Sequence, residues 1–264
     1  MHGPEQVTEL LDANKMNSGR LYDASCGEGS SSNLLKAMGF EVVCSTFRDK
    51  PTVDSDIEWV EGVDLNRSLP FDDQTFDCAV LQEVIEHLEN PAHVIREFNR
   101  ILKLGGRWVL TTPNAACLRS RLHFLLSGFV KGRRRPANYN VPPGNYTNLF
   151  IPSFTTLHYL LWMYGFRVVA TGRSKRKASS VILSVLLFPF VFLWTRYYTR
   201  PPKAYDSPKQ HEACADFRRI VLTPHLLLDE NLVLLLEKTD EIGDGYRPED
   251  SEVAQSSASL ASAL

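Results

Sequence analysis

Residues 21–29 read Leu21-Tyr22-Asp23-Ala24-Ser25-Cys26-Gly27-Glu28-Gly29, an apolar run that ends in an acid and then turns through two glycines. The apolar run predicts a strand over residues 20–24, and residues 30–38 predict a helix that Gly39 ends. Such a junction directs backbone N–H groups and a partial positive charge toward one point. Glycine permits both the tight turn and the close approach of a ligand. A turn with only a structural role would use the same glycines, so the junction alone assigns no function.

The rest of the chain alternates strands and helices in the way that is typical of a parallel sheet. Asn90 and Pro91 predict the start of a helix, and Gly105-Gly106 predicts its end. After Pro113 the alternation breaks, and residues 115–150 indicate an insertion or lid. The other predicted elements are strands at 41–44, 57–60, 78–81, 107–112, 166–170 and 232–237 and a helix at 153–164. We therefore predict an α/β fold with helices on both faces of the sheet.

The composition is that of an ordinary globular protein. The chain has 264 residues, of which 44% are hydrophobic and 23% are charged, values that exclude collagen-like, disulfide-scaffold and wholly disordered classes. We predict a single domain over residues 1–248 and a disordered, Ser- and Ala-rich tail at 249–264. The five cysteines show no metal-ligand spacing and are predicted to be unpaired. The first residues lack the pattern of a secretory signal, which favours a cytoplasmic location.

The charge of the chain is distributed unevenly. The formal net charge is -2, yet residues 119–210 contain 15 Lys and Arg and a single acid, Asp206. A basic block of this length inside an otherwise acidic chain indicates an anionic partner surface.

Further motifs follow the glycine loop in a fixed order over about residues 20–114. They are Asp64-Leu65-Asn66, Leu69-Pro70-Phe71-Asp72-Asp73, Glu83-Val84-Ile85-Glu86-His87-Leu88, Asn90-Pro91, Gly105-Gly106 and Thr112-Pro113-Asn114. Together with residues 21–29, they resemble class I S-adenosylmethionine-dependent methyltransferases of the type 11-like group. The resemblance implies a Rossmann-like, mostly parallel sheet with an antiparallel last strand. It also implies that S-adenosylmethionine is bound across the carboxyl ends of the strands.

The resemblance implies a set of cofactor-binding residues. Gly27 and Gly29 would admit the ligand, while Asp23 and the adjoining backbone would order its amino acid end. Asp64 would accept a hydrogen bond from the adenine amino group, and Gln82 would line the sulfur side. The implied residues are Asp23, Cys26, Gly27, Gly29, Thr46, Asp64, Leu65 and Gln82.

Two positions depart from the pattern of this family. Ser25 stands where the family usually has glycine, which crowds the turn. Thr46 stands where an acid usually holds both ribose hydroxyls. A neutral hydroxyl makes a weaker, single hydrogen bond, a difference of about 1 kcal/mol. We therefore expect modest cofactor affinity, and an adaptor that has lost cofactor binding stays open as an alternative.

His87 is the candidate catalytic residue. Methyl transfer from a sulfonium needs alignment, and it needs a general base only when the acceptor loses a proton. His87 follows the fourth strand, and an imidazole exchanges protons near neutral pH. The alternative is a histidine that starts a helix and holds a loop.

The spacing of Glu83, Glu86 and His87 is i, i+3 and i+4, so on a helix the three would share one face. Similar Glu-x-x-Glu-His groups in quinone-biosynthesis O-methyltransferases are associated with a divalent metal. Two carboxylates and an imidazole also suit solvent-facing and capping roles. We predict no metal site, and these three residues are the alternative.

A basic and apolar insertion spans residues 173–200. Its apolar core, residues 181–194, would form a helix of about 21 Å at ~1.5 Å per residue, shorter than a ~30 Å hydrocarbon layer. Pro189 would also kink such a helix. One interpretation is a buried core or dimer helix. The other is a shallow interfacial hairpin, because basic residues precede the run and Trp194, Tyr197 and Tyr198 end or follow it.

These observations predict an S-adenosylmethionine-dependent methyltransferase. The predicted acceptor is an oxygen of a lipid-linked or cell-surface glycan, and the predicted location is peripheral, on the inner face of the cytoplasmic membrane. A quinone-pathway O-methyltransferase, which metal dependence would favour, and a non-catalytic adaptor are the alternatives. The sequence holds no recognisable base-reading module, so no nucleic acid partner is expected. It does not predict an oligomeric state.

Overall fold

A seven-stranded sheet forms the centre of the computed structural model, which describes residues 3–47, 49–129, 151–200 and 208–241. The strands are β1 (Arg20–Ala24), β2 (Glu41–Thr46), β3 (Glu58–Glu61), β4 (Phe76–Gln82), β5 (Leu102–Pro113), β6 (Phe166–Thr171) and β7 (Asn231–Lys238). Their order in the sheet is β3-β2-β1-β4-β5-β7-β6. β7 pairs antiparallel with β5 and β6, and the other pairings are parallel. The predicted Rossmann-like sheet with an antiparallel last strand is confirmed.

Helices cover both faces of this sheet. They are α1 (Pro4–Ala13), α2 (Ser30–Ala37), α3 (Pro91–Ile101), α4 (Leu118–Ser127), α5 (Phe154–Met163), α6 (Ala178–Tyr198), α7 (Pro208–Val221) and α8 (Pro224–Leu228), with a 3-10 helix at Ile85–His87. The start of α3 follows the predicted signals: the Asn90 side chain accepts from His93 N–H, and Pro91 occupies the first turn.

The sheet has an apolar core on each of its two faces. Successive residues of a strand pack into opposite cores, because side chains alternate across a strand. Val42 packs with residues of α1 and α2 on one face, whereas Val43 packs with residues of α3 and α5 on the other. Tyr22 lies in the second core, and its hydroxyl forms a 2.7 Å hydrogen bond with Ser45 Oγ. This two-faced burial fixes the register of β1 and β2, and therefore where their carboxyl ends stand.

Gly105 and Gly106 do not end a helix, which corrects the prediction made from the sequence. α3 ends at Ile101, and β5 begins at the next residue. The pairing of β4 with β5 shifts between Phe76 and Cys78, so the two glycines lie in an irregular stretch of β5. Gly105 has φ +77°, and a Cβ on Gly106 would lie 2.7 Å from a backbone carbonyl oxygen. The glycines are therefore needed for a bulge rather than for a helix end.

Helix α6 is longer than the apolar run at 181–194 from which it was predicted. It has 21 residues, or about 31 Å at ~1.5 Å per residue, and it continues through Pro189. Length and composition would therefore allow it to cross a membrane, which corrects the expectation that it is too short. Ser180 is its one buried residue, so the buried-core-helix interpretation is wrong for the packing within this chain.

Several predicted features are only partly described. Residues 118–127 of the predicted lid form α4, whereas residues 130–150 and the tail at 249–264 lie outside the described residues. None of the five cysteines forms a disulfide, as predicted: three are buried, and Cys26 and Cys214 are half-buried.

Candidate functional site

The glycine loop between β1 and α2 has the conformation that its sequence predicts. Gly27 and Gly29 have φ values of +58° and +91°, and Ser25 is also left-handed at +57°. A Cβ on Gly29 would lie 2.5 Å from Val53 Cγ1, whereas a Cβ on Gly27 would meet nothing within 4 Å. Gly29 is thus required by packing, and Gly27 faces open space that a ligand can enter.

The Asp23 carboxyl is buried at the end of β1. Its Oδ2 accepts a 2.7 Å hydrogen bond from Ser32 Oγ of α2. Burial raises the pKa of Asp23 to about 7, and the Ser32 hydrogen bond offsets only part of this. A cationic ligand group nearby would favour the ionised form. Asp23 can therefore act as an acceptor whose charge would depend on a ligand bound beside the glycine loop.

Thr46 ends β2, next to the glycine loop. Its Oγ1 accepts a 3.0 Å hydrogen bond from the Trp59 indole Nε1, and its carbonyl oxygen accepts from Val63 N–H. One residue earlier, the Ser45 carbonyl accepts from Cys26 N–H at 3.0 Å. Strand β2 thereby holds the loop in place, and the Thr46 hydroxyl keeps a proton that it can donate.

Asp64 and Leu65 follow β3 in a short turn. Asp64 Oδ1 accepts from Asn66 N–H at 2.9 Å, and Asp64 Oδ2 lies 3.4 Å from Arg67 Nε. Leu65 is buried, and Asn66 Oδ1 accepts from Glu89 N–H. The turn is thus tied to the segment after β4, and the Asp64 carboxylate stays partly exposed.

Gln82, the last residue of β4, connects the sheet to the first turn of α2. Its Nε2 donates a 2.5 Å hydrogen bond to Ser31 Oγ. The N-cap residue of α2, Gly29, makes no side-chain cap hydrogen bond. Because Ser31 belongs to the first turn of α2, Gln82 lies beside the helix end where uncapped N–H groups give a partial positive charge.

Glu83, Glu86 and His87 do not share a helix face, which corrects the sequence prediction. Glu83 has φ +51° and precedes the 3-10 helix, because the chain turns sharply after β4. Its Oε1 accepts from Thr111 Oγ1 at 3.1 Å, while Glu86 Oε2 accepts from Thr112 Oγ1 at 3.1 Å. Among the described residues, no group of three or more His, Cys, Asp and Glu side chains is arranged to hold a metal ion.

Both glutamates are unusual in their ionisation. Burial raises the pKa of Glu83 to about 7, and the neighbouring Glu86 carboxyl raises it further. Burial likewise raises the pKa of Glu86 to about 7. His87 Nδ1 is buried without a hydrogen-bond partner. Two carboxyls that change charge near neutral pH therefore stand in the same short segment as His87, which is a common property of functional sites.

Sequence reasoning missed the residues that hold these groups. Trp59 holds Thr46, Ser31 holds Gln82, and Ser32 holds Asp23, each by a hydrogen bond from another element. Thr111 and Thr112 of β5 orient the two glutamates. The run of three serines at 30–32 was a signal, since serine is not a strong former of helix interiors.

The candidate site lies where β1, β2 and β4 end side by side in the sheet. It offers open space at Gly27, helix N–H groups, the carboxylates of Asp23 and Asp64, and the Thr46 hydroxyl. S-adenosylmethionine presents an ammonium, a carboxylate, a ribose and an adenine, so these donors and acceptors suit it. The absence of a phosphate in that molecule also suits a short glycine loop. The fold is that of the Rossmann-like class, and the groups gathered at this site suit a nucleoside ligand.

The family is established by comparison. The chain belongs to the methyltransferase-domain family, whose model matches residues 4–171. The chain therefore contains a methyltransferase domain, and relatives to which it is similar are described as S-adenosylmethionine-dependent methyltransferases.

Individual relatives are distant. A 97-residue stretch, 36% of this chain, is 33% identical to a "Probable S-adenosylmethionine-dependent methyltransferase" of Mycobacterium tuberculosis and covers 35% of it. An alignment of 164 positions, which covers 57% of this chain and 66% of the relative, is 28% identical to a demethylmenaquinone methyltransferase of Clavibacter sepedonicus. This chain therefore matches about a third of the first relative's length and about two thirds of the second's.

A solved structure supports the fold. The S-adenosylmethionine-dependent methyltransferase of Archaeoglobus fulgidus aligns with 89% of this chain and 94% of its own, with a TM-score of 0.52 and 18% identity. At that identity the likeness concerns the architecture alone.

Proposed function

We propose that this chain transfers the methyl group of S-adenosylmethionine to an acceptor carried on a membrane lipid. The observation that carries the proposal is the closeness of the candidate site to the exposed apolar helix α6. A lipid-borne acceptor would need both features on one molecule, because its anchor stays in the membrane while its reactive group enters the cleft.

The connection between the site and α6 consists of a few contacts. Glu86 accepts from Thr112 near the end of β5, and Asn114 follows two residues later. The Asn114 side chain donates to the Asp229 carbonyl oxygen at 3.0 Å. The Asp229 carboxylate in turn accepts from Arg176 Nε at 2.6 Å, two residues before α6. The helix therefore begins close to the carboxyl-end edge of the sheet.

His87 is the proposed general base. The cofactor supplies a methyl group on a sulfonium sulfur, which leaves as a neutral thioether. The chain has to align the acceptor and, for a hydroxyl acceptor, remove its proton. His87 lies in the segment after β4, beside Glu83, whose carboxylate would stabilise an imidazolium after proton transfer.

For the acceptor we propose an oxygen of a lipid-linked glycan. The basic block at 119–210 favours an anionic carrier, since glycans are commonly attached to lipids through phosphate. A quinone-type acceptor is the second candidate, because of the similarity to the demethylmenaquinone methyltransferase.

The test is methyl transfer from radiolabelled S-adenosylmethionine to fractionated lysate with the full chain. We expect the label in the solvent-extracted lipid fraction. Mild acid should then move it into the aqueous phase for a glycan linked through phosphate, whereas label on a quinone would stay in the organic phase. Label in protein or nucleic acid would contradict a lipid-borne acceptor.

Calorimetry separates the enzyme from the adaptor alternative. We expect heat of binding for both S-adenosylmethionine and S-adenosylhomocysteine. No heat and no thermal shift at millimolar ligand would support the adaptor.

A further inference from the structure

Helix α6 exposes apolar side chains around nearly its whole circumference. Eleven of its large apolar residues are exposed, including Val185 at 74%, Leu186 at 65% and Leu193 at 66%. A helix that is apolar on all sides is normally buried in a core or in lipid. α4 lies beside α6 and exposes further apolar residues, such as Leu125 and Leu126, each at 78%. The two helices together form an apolar surface, called here the α4–α6 surface.

Both ends of α6 are attached to the same domain. At its start, Lys177 Nζ lies 3.0 Å from Glu230 Oε1. Just past its end, Arg218 of α7 donates a 2.8 Å hydrogen bond to the Thr199 carbonyl oxygen. Between the ends, Leu183 and Val191 pack against a small core formed by Leu118, Leu227 and Leu228. A helix held at both ends and along one side cannot cross a bilayer, although its length would allow it.

Among the residues that the structure describes, three arginines line a cavity of about 160 Å³ at the carboxyl end of α6: Arg196, Arg200 and Arg218. Within the described ranges no ion pair joins any of the three to a carboxylate. Guanidinium groups that have no carboxylate partner and line one cavity suit a phosphate, which they can bind through paired hydrogen bonds.

Aromatic side chains stand beside this cavity. The Trp194 ring lies 5.9 Å from the Tyr197 ring and 5.2 Å from the Tyr198 ring, and all three side chains are exposed. Trp and Tyr prefer the headgroup layer of membranes, where their apolar body and polar tip are both accommodated.

We propose that the α4–α6 surface inserts into one leaflet of an anionic membrane and that the three-arginine cavity binds the phosphate of a lipid headgroup. The inference extends the proposed function by naming its membrane partner. It depends on that function only for the identity of the acceptor, because docking itself requires no methyl transfer.

Charge favours lipid over a second copy of this chain. A symmetric dimer through α6 would bring together two copies of a surface whose ends carry the exposed basic residues Arg173, Lys175, Arg196 and Arg200. Such like charges repel, whereas an anionic leaflet attracts the same surface. Basic side chains at both ends of α6 and apolar ones between them also match a helix that lies along the membrane surface.

Vesicle flotation of the full chain tests the proposal. We expect binding to phosphatidylcholine vesicles that contain phosphatidylglycerol, and weaker binding to phosphatidylcholine alone. The double variant Arg196→Gln/Arg200→Gln should bind anionic vesicles about thirtyfold more weakly, from two lost surface charges. The control Lys15→Gln/Arg96→Gln removes the same charge from other exposed positions and should bind like the unaltered protein. Equal binding by both double variants would contradict the proposal that the arginine cavity binds a lipid phosphate.

The apolar surface has its own variant. Val185→Asn/Leu186→Asn/Leu193→Asn changes exposed positions, so the fold should persist, as circular dichroism can verify. We expect loss of binding to all vesicles. The contrary outcome is that neither protein binds vesicles, that the unaltered protein is a dimer and that this variant is a monomer. The surface then binds a second copy of the chain, and the proposal is wrong.

Depth distinguishes docking in one leaflet from spanning. In the variant Leu186→Trp/Trp194→Phe, the new indole lies near the middle of α6. Lipids brominated near the headgroup should quench it more than lipids brominated at the chain ends, because the helix lies shallow. Strongest quenching by chain-end bromines would place residue 186 at the bilayer centre and contradict the proposal. A Gly27→Ala variant should float normally, so failure of cofactor binding and failure of docking are separate results.

Discussion

The Trp59 indole Nε1 donates a hydrogen bond to Thr46 Oγ1 at 3.0 Å, across the pair of strands that ends beside the glycine loop. The indole thus fixes the one polar side chain at the position where the family usually has a ribose-binding acid. Because the hydroxyl oxygen already accepts from Trp59, its proton is free to point toward a ligand.

The first prediction concerns this pair. Thr46→Val should weaken S-adenosylmethionine binding about fivefold, since a neutral hydrogen bond contributes about 1 kcal/mol. It should also lower the free energy of unfolding by about 1 kcal/mol, because the Trp59 N–H loses its acceptor. Trp59→Phe is the control: stability should fall, but the Thr46 hydroxyl remains and the dissociation constant should change little. Calorimetry measures the cofactor affinity, and urea denaturation measures the free energy of unfolding. If Thr46→Val and Trp59→Phe lose the same affinity, Thr46 acts only through packing.

The second prediction separates the two loop glycines. Gly27→Ala should cost about 1 kcal/mol of stability, since its backbone is left-handed but no atom lies within 4 Å of the new Cβ. Gly29→Ala should cost more, because its Cβ would lie 2.8 Å from the Thr52 carbonyl oxygen. We expect Gly27→Ala nevertheless to weaken cofactor binding at least tenfold, because its methyl group would occupy the open space where the cofactor is proposed to bind. Thermal melts measure the stability of both variants, and ligand titration measures their affinity for the cofactor. Normal affinity of Gly27→Ala would show that the cofactor does not bind at this loop.

The third prediction follows from the ionisation of Asp23. Its pKa is raised from 3.8 to about 7 by burial, so the folded state retains a proton that the unfolded state releases above about pH 4. The contribution of Asp23 to the free energy of unfolding is therefore complete below pH 4. It is lost as the pH rises toward 7, at up to about 1.4 kcal/mol per pH unit. Asp23→Asn lacks this loss, so its stability relative to the unaltered protein should increase from pH 5 to pH 7. Denaturation at the two pH values measures the difference, and a constant difference would show that Asp23 is ionised throughout.

Much of the fold was accessible from the sequence because its signals are local. The apolar run at 20–24, the glycine turn and the Asn90-Pro91 helix start each act within a few residues, and the structure contains all three elements. The right order of such elements suffices to predict a doubly wound sheet, since parallel strands need helical crossovers.

The details of the site depend on contacts between distant segments. Thr111 and Thr112 meet Glu83 and Glu86 across β4 and β5, and no periodicity reports such a pairing. The left-handed conformation of Glu83 shortens the expected helix, because it turns the chain after β4 before Ile85. For α6, apolarity could not distinguish core from surface, since that depends on what else covers the helix.

The last prediction concerns His87 as the base for an acceptor that loses a proton. His87→Gln should lower kcat about a hundredfold, the smaller end of general-base effects, with the cofactor dissociation constant unchanged. His93→Gln is a matched control, because His93 Nε2 is also buried without a partner but belongs to α3. Glu83→Gln should lower kcat less than His87→Gln, since Glu83 would act on the imidazolium and not on the acceptor itself. If His87→Gln and His93→Gln have the same kcat in the radiolabel assay, His87 only holds its loop, and methyl transfer proceeds by alignment alone.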